Sequence, residues 1–276
     1  GPQTLTDEEI DRCKSFFVDP PHLEREDDPE ELTTALKNDV LFISWYQQNV
    51  CAHKKSGYAI VTACLKETGV APGDVTDSQL EYLAELADEY SFGEVRVSHH
   101  QNVVFADVEQ SNLYDFWKKL ALKSLASMNL GLLTDMICCP GGDFCALANA
   151  KSIPIAESLQ REFDDIEELK EIGDLRVNIS GCMNACGHHH VGNIGILGVD
   201  KKGEEFYQVS LGGSSQNEAS LGKIIGPSFA QDEIPAVVKT IVRVYKNTKQ
   251  ADETFLDTYR RIGIDPFKEK VYAKAD

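Results

Sequence analysis

The sequence has 276 residues, of which 42% are hydrophobic, and a formal net charge of −18 from 27 basic and 45 acidic side chains. This length suffices for one large domain or two modest ones with buried cores. The acidic excess argues against nucleic acid and anionic membrane as partners, because both are bound by clustered lysine and arginine. No apolar run approaches the length of a membrane span. We therefore expect a cytoplasmic protein.

Residues 1–50 are predicted to form an acidic helical lead-in or linker. Thr6 is followed by three acidic residues, which is a signal for the start of a helix. Pro20-Pro21 marks a break, and Asp28-Pro29 followed by two glutamates marks a second start. The expected role of this segment is packing or linking.

Residues 51–125 have the pattern of a compact β-α-β-β-α unit. Short runs of alternating apolar residues predict three strands, at 58–65, 94–98 and 103–108. Longer stretches with helical periodicity predict two helices, at 77–90 and 110–120.

Residues 126–276 are predicted to form a second α/β domain, so the fold class is α+β. Its expected elements in chain order are a helix at 145–159, strands at 175–179, 193–199 and 206–211, and helices at 234–247 and 252–262. No internal repeat is visible.

Four cysteines in two pairs form the most informative motif. Cys139 and Cys145 are separated by five residues in CCPGGDFC, and Cys182 and Cys186 by three in SGCMNACG. Soft thiolate ligands from two separate loops are the ligand set of a cubane iron–sulfur cluster. The sequence therefore predicts a 4Fe-4S cluster bound by these four residues.

Other uses of the cysteines stay open at this point. Zinc is the stronger alternative, because Cys182, Cys186 and the histidines at 188–190 supply thiolate and imidazole ligands. The five-residue gap of the first pair fits a zinc site poorly. Disulfides are not expected, since no secretory signal peptide is recognisable and the remaining cysteines are mostly scattered. Cys138 competes with Cys139 as a ligand.

The sequence resembles the sulfite and nitrite reductase hemoprotein family over roughly residues 54–272. The resemblance rests on SGC-x3-C with a downstream Gly195 in a strand, the Cys-x5-Cys pair, YQVSLGG at 207–213 and SHHQN at 98–102. The family's spacing is met from Cys139 and not from Cys138. Asn193 departs from the family pattern, which usually has an acid there.

The resemblance implies a ferredoxin-like half-domain at 51–125 and a siroheme and 4Fe-4S domain at 126–276. The sulfur of Cys186 would contact both the cluster and the siroheme. Five further side chains are candidates for contacting the cofactor, each with an ordinary structural reading as well: Gln101, Asn102, Asn184, His188 and Arg176. The family's catalytic arginines and lysines come largely from the N-terminal copy of a repeated unit, and the position here that resembles one such arginine holds His100.

The expected function is that of the C-terminal half of an assimilatory sulfite reductase hemoprotein, which reduces sulfite to sulfide with six electrons. The expected partners are the N-terminal half and an electron donor, either a flavoprotein or a ferredoxin. The alternatives are reduction of nitrite to ammonia, a single-unit siroheme reductase that works alone, and a non-catalytic zinc-binding module. The isolated chain is expected to lack much of the substrate pocket.

Overall fold

The computed structural model describes residues 4–273, which form two β-sheets that pack with helices. Each sheet has its own apolar core, one built from residues between Leu32 and Leu125 and the other from residues between Leu132 and Phe267. The protein is α+β, as predicted. No helix in this described range is long and apolar enough to cross a bilayer.

Residues 4–50 contain three helices, and two of them belong to the first core. The helices are α1 (Asp7–Lys14), α2 (Glu30–Asn38) and α3 (Val40–Asn49). The side chain of Thr6 caps α1, as the sequence signal indicated. Leu32, Phe42 and Trp45 are fully buried in the first core. The second half of the lead-in therefore packs into the first unit.

The first sheet is antiparallel throughout, in the order β1-β2-β4-β3. Its strands are β1 (Val50–Ala52), β2 (Tyr58–Ala63), β3 (Arg96–Val97) and β4 (Val103–Glu109). Two helices share its core, α4 (Asp77–Tyr90) and α5 (Leu113–Ala121). The predicted β-α-β-β-α order is present, and β1 adds one strand that the sequence pattern did not indicate.

The second sheet is mixed, in the order β5-β6-β7-β8-β9. Its strands are β5 (Ile137–Cys138), β6 (Val177–Ser180), β7 (Ile194–Lys201), β8 (Glu204–Leu211) and β9 (Lys223–Ile224). The pairs β5-β6 and β6-β7 are parallel, and the other two are antiparallel. The parallel part carries the cysteine loops.

Six helices accompany the second sheet, and one of them corrects a prediction. They are α6 (Gly141–Phe144), α7 (Ile153–Glu162), α8 (Ile166–Ile172), α9 (Ile234–Thr248), α10 (Phe255–Ile262) and α11 (Asp265–Val271). The helix predicted at 145–159 begins only at Ile153, so the prediction was wrong for its first half. Pro154 favours a helix start there, because its missing N–H lies where helices leave amides unpaired.

Candidate metal centre and cofactor cleft

The four predicted cluster ligands lie beyond the ends of two neighbouring strands. Cys139 directly follows β5, and Cys145 ends the short helix α6. Cys182 and Cys186 lie in the turn that follows β6. Because β5 and β6 are parallel, the chain leaves both strands at the same edge of the sheet. The topology thus brings the two cysteine loops together.

Backbone hydrogen bonds hold these two loops against each other. The amides of Asn149 and Ala150 both donate to the carbonyl of Gly181, at 2.9 and 3.0 Å. In return, the Gly181 amide donates to the sulfur of Cys139 at 3.1 Å. A Cβ at Gly181 would lie 2.6 Å from the Ala150 carbonyl oxygen, so only glycine permits this approach. An N–H directed at sulfur is also a feature that tunes iron–sulfur centres.

The surroundings of the thiols distinguish Cys138 from Cys139. Cys138 lies in the apolar core and its thiol donates to the Cys139 carbonyl at 3.2 Å. Burial, and after it the adjacent Cys139, raises the pKa of the Cys138 thiol far above its ordinary value, so it stays a protonated thiol. The Cys139 sulfur instead meets the Gly181 amide and lies 3.4 Å from the Ser152 hydroxyl. This geometry favours Cys139 as the ligand.

A tight turn positions the second pair of cysteines. The Ala185 amide donates to the Cys182 carbonyl at 3.1 Å. A Cβ on Gly187 would collide with the Ile179 carbonyl oxygen, so the turn requires glycine at this position. Cys182 is buried, whereas Cys186 is exposed. The two sulfurs therefore have different surroundings, and Cys186 can reach a group outside the protein core.

The zinc alternative needs a tighter convergence than the described residues provide. Among residues 4–273, no combination of cysteines and histidines alone brings three ligand atoms within 4.8 Å of one another. Zinc ligands share a single ion and must converge in this way. A cubane spreads its ligands, because each thiolate binds a different iron. The described geometry therefore does not support a zinc site built from cysteines and histidines.

A cleft between the two units opens beside the cysteine turn. It is lined by His99 and His100 from the first unit, and by Asp135, Arg176 and His188 from the second. A neighbouring depression shares His100, Asp135 and Arg176. In this part of the described chain, Arg176 is the one lysine or arginine in the lining.

The positive charge of the cleft is small. The Arg176 guanidinium lies 3.7 Å from the Asp174 carboxylate, which offsets part of its charge. Burial, and after it the neighbouring His99, lowers the pKa of His100, which disfavours the charged imidazole. Siroheme is a polycarboxylate, and the lining offers one arginine to bind it. The lining therefore offers a basic partner for one carboxylate and none for the others.

Gln101 and Asn102 have their polar atoms occupied by the protein. The Gln101 side chain donates to the Cys138 carbonyl at 2.8 Å and accepts from its amide at 2.9 Å. The buried Asn102 side chain accepts from the Lys66 ammonium at 2.8 Å and donates to the Asp135 carboxylate at 3.0 Å. Both side chains fasten the edge of the cleft to the second unit. This arrangement favours a positioning role for them.

Lys66 is a buried cation that the sequence analysis did not single out. Its ammonium donates to the carbonyl oxygens of His100 and Gln101, at 2.8 and 2.9 Å, and lies 3.5 Å from Asp135. Burial lowers the pKa of Lys66, and the Asp135 carboxylate acts against that shift. It therefore fixes the backbone that presents His99 and His100. A lysine placed shortly after an apolar strand was its only sequence signal.

The remaining candidates near the turn differ in exposure. Asn184 and His188 are exposed, and His188 has a φ of +54° and lines the cleft. His189 is buried, and burial followed by the adjacent His190 lowers its pKa to about 4. Its Nδ1 has no hydrogen-bond partner among the described residues.

Asn193, which departs from the family pattern, has a structural role. Its side chain accepts from the Arg176 amide at 2.9 Å and donates to the Gly213 carbonyl at 3.0 Å. It thereby joins the start of β6 to the end of β8. A neutral amide can make both bonds, whereas a carboxylate could accept only one of them.

Comparison with known proteins identifies the family. Residues 132–276 match the model of the nitrite and sulphite reductase 4Fe-4S domain, and residues 54–123 match that of the nitrite/sulfite reductase ferredoxin-like half domain. The chain belongs to the nitrite and sulfite reductase family, as its motifs indicated. Members of this family use siroheme and a 4Fe-4S cluster, so the cofactor prediction is confirmed at the level of the family.

Curated relatives carry both activities in their names. The assimilatory ferredoxin-dependent nitrite reductase of Haloferax mediterranei is 28% identical over 205 residues, which cover 72% of this chain and 35% of that protein. Sulfite reductase [ferredoxin] 2 of Mycolicibacterium paratuberculosis is 26% identical over 216 residues, which cover 74% of this chain and 39% of that protein. The chain spans little more than a third of the length of these relatives.

Two solved structures share the fold. The Mycobacterium tuberculosis NirA protein superposes with a TM-score of 0.63 at 24% identity, over 79% of this chain and 41% of that one. Dissimilatory sulfite reductase I superposes with a TM-score of 0.64 at 14% identity, over 79% of this chain and 70% of that one. At these identities the likeness supports the fold alone.

Proposed function

We propose that this chain provides the electron-delivering part of a siroheme-dependent reductase, with one 4Fe-4S cluster bound by Cys139, Cys145, Cys182 and Cys186. The observation that carries the proposal is the pairing of the two cysteine loops. Gly181 accepts two amide hydrogen bonds from the first loop and donates its own amide to the Cys139 sulfur. Thiolates from two loops are thereby held at one edge of the sheet.

Cys186 is the ligand that we assign to both the cluster and the siroheme. Its exposure, and the position of His188 in the cleft lining two residues later, support this role. Arg176 would bind a siroheme carboxylate through a charge-assisted hydrogen bond. When bound, the two cofactors supply a substrate-binding iron and the stored electrons that a six-electron reduction requires. Gln101, Asn102 and Asn184 keep positioning or contact roles at this face.

A second unit, the N-terminal half of the same enzyme, is proposed to complete the siroheme site. A polycarboxylate and an anionic substrate call for several arginines and lysines, and the cleft has one. Three large apolar side chains beside the cysteines, Phe144, Leu147 and Met183, are 80%, 73% and 82% exposed. Such a patch is typical of a surface that another body covers.

The proposed reaction is the six-electron reduction of sulfite to sulfide. Reduction of nitrite to ammonia is the second candidate, and the name of the similar Haloferax mediterranei protein favours it. The names of both relatives also favour ferredoxin over a flavoprotein as the electron donor. The oxygens that leave either substrate must be protonated. Burial lowers the pKa of His100, so a smaller fraction of this imidazole is protonated near neutral pH.

The test is dye-linked turnover of sulfite and of nitrite by the cofactor-loaded chain, with and without the separately expressed N-terminal half. We expect the chain alone to retain little siroheme on gel filtration, and the added half to restore both retention and turnover. The substrate with the higher kcat/KM decides between the two reactions. Full turnover by the chain alone would contradict the proposed two-unit site.

The bridging role has its own test in the restored two-unit enzyme. Cys186→Ser should abolish magnetic coupling between heme and cluster in Mössbauer spectra. Cys51→Ser is the matched control, because Cys51 is equally an exposed cysteine and lies in the first unit. Coupling that persists in Cys186→Ser would contradict the assignment.

A further inference from the structure

A second group of metal-binding side chains lies in the first unit, apart from the cysteines. His22, His53 and Asp107 bring three ligand atoms within 4.8 Å of one another, and no other such group occurs among residues 4–273. His22 Nε2 lies 2.7 Å from Asp107 Oδ1, and His53 Nε2 lies 3.4 Å from the same oxygen. Two imidazole nitrogens therefore converge on one carboxylate.

The three residues come from segments that are distant in the sequence. His22 lies in the extended segment between α1 and α2, His53 in the connection between β1 and β2, and Asp107 on β4. Their side chains are only 16%, 15% and 5% exposed. Neighbours in a helix or turn converge through local geometry alone, but these three do so only because the tertiary fold places them together.

The surroundings of Asp107 suit a bound cation. A buried carboxylate is costly unless it is paired, and its side-chain partners in the described range are these two imidazoles. The rings of Tyr58 and Phe92 lie 4.7 and 5.5 Å from the His22 ring, so one side of the group is apolar. Low-dielectric surroundings strengthen the attraction between a carboxylate and a metal ion.

We propose that His22, His53 and Asp107 bind one divalent transition-metal ion, with zinc as the representative. Two imidazoles and one carboxylate are a known ligand set for zinc and for iron(II), with a further position left open. The set contains no thiolate, so it is chemically distinct from the cysteine site. This metal centre goes beyond the proposed reductase function and does not depend on it.

Metal binding requires that both Nε2 atoms be free of protons. His53 Nδ1 lies 2.9 Å from the Lys55 amide nitrogen and 3.4 Å from the Lys55 carbonyl oxygen. Without metal, Nδ1 accepts from the amide while Nε2–H faces Asp107. When the ion binds Nε2, the proton of the neutral ring moves to Nδ1, which then gives up the hydrogen bond from the Lys55 amide and donates to the Lys55 carbonyl. The Lys55 carbonyl is then the outer partner that orients a ligating histidine.

The ion would fasten the extended segment after α1 to the first sheet. Hydrogen bonds already hold this segment: the Leu23 amide donates to the Tyr58 hydroxyl at 3.1 Å, and Arg25 Nε to the Glu109 carboxylate at 3.1 Å. A metal ion bound by both His22 and Asp107 would link the segment to β4 more strongly than these hydrogen bonds do. The expected role is therefore structural.

The test is a zinc titration of the full chain with its cluster loaded, so that the four cluster cysteines are occupied. A chromophoric chelator competes for the zinc and reports the affinity. We expect one retained equivalent of zinc. His22→Ala and Asp107→Asn should each weaken zinc binding by more than ~10–100-fold, which is the loss expected when a residue that only orients a ligand is removed. His190→Ala and Asp88→Asn are matched controls, because both residues are exposed and lie outside the group.

Hydrogen exchange supplies a second readout of the same site. Zinc should slow exchange of the Leu23 amide in the wild type and leave it unchanged in His22→Ala. His22 lies outside helix and strand, so its replacement leaves the sheet intact. The proposal is overturned if the wild type retains no zinc, if retention survives the His22 and Asp107 substitutions, or if retention follows His190 instead.

Discussion

Replacing Lys66 with methionine should destabilise the chain far more than the same change at the surface. The Lys66 side chain is fully buried, and its ammonium donates to the His100 and Gln101 carbonyls and to the Asn102 side chain. It also lies 3.5 Å from the Asp135 carboxylate. Methionine keeps the apolar stem but has no donor. Three acceptors and one buried carboxylate would lose a shared partner.

The size of the effect follows from what remains around Asp135. Removing one partner of a buried ion pair costs about 3–5 kcal/mol, because a charge is left buried and unpaired. The Asp135 carboxylate still accepts from the Gly131 amide at 2.9 Å and from Asn102 at 3.0 Å. The substitution also removes the desolvation cost of the buried Lys66 ammonium, a cost that the lowered pKa of Lys66 reflects. We therefore expect a loss of about 3 kcal/mol, the lower end of that range.

The assay is urea unfolding of the cluster-loaded chain, followed by far-ultraviolet circular dichroism. Lys119→Met is the matched control, because Lys119 forms a partly exposed ion pair with Glu89 that solvent screens. Adding Asp135→Asn to Lys66→Met should recover part of the loss, because it removes the unpaired charge. If Lys66→Met costs no more than Lys119→Met, the reasoning about this network is refuted.

Three further predictions concern the cysteine turn, the cleft and acid stability. Gly187→Ala should abolish cluster retention, measured as iron per chain, because a Cβ collides with a backbone carbonyl. Gln101→Ala should lower the free energy of unfolding by about 1–2 kcal/mol, because two hydrogen bonds to Cys138 are lost. The hydrogen bond from Arg261 lowers the pKa of Glu253 to about 2, so its contribution is present above pH 4.5 and lost as pH falls toward 2. Glu253→Gln should therefore flatten the stability–pH curve in that window.

Each of these has a control. Gly142→Ala should keep its iron, since the nearest atom to a Cβ there lies 3.4 Å away, and equal iron in Gly187→Ala would contradict the turn geometry. Gln216→Ala is the control for Gln101→Ala, because Gln216 is exposed. Equal stability of the two variants would contradict the prediction for Gln101. Glu269→Gln, at an exposed site, is the control for Glu253→Gln. If the dependence of stability on pH is unchanged in Glu253→Gln, the stabilising contact between Glu253 and Arg261 is contradicted.

Local sequence signals predicted the elements that local physics stabilises. The helix at Asp77–Tyr90 has the predicted bounds, because a capping box of Thr76 and Gln79 satisfies its first amides. The two cysteine motifs also lie within short segments, so the four candidate ligands could be proposed directly from the sequence. The helix start at Ile153 could not be predicted from the sequence. The amides of Asn149 and Ala150 donate to the distant Gly181 carbonyl, and these bonds keep the preceding segment out of the helix.

The rest of the site depends on residues that only the tertiary fold brings together. Lys66 and Asp135 lie in different units, and no sequence pattern links them. His22 and Asp107 are separated by 85 positions, so their convergence also has no local signal. The role of Gln101 was likewise beyond the sequence, because its partner is the backbone of Cys138, which any residue type would offer.

Iron and acid-labile sulfide per chain after anaerobic reconstitution test the central claim most directly. The claim is that four cysteines in two paired loops hold one 4Fe-4S cluster. We predict about four irons per chain and a broad visible absorption in the wild type. Cys138→Ala should keep both, because Cys138 is a buried core thiol, whereas Cys145→Ser should lose most of its iron. Equal iron in these two variants would contradict the account.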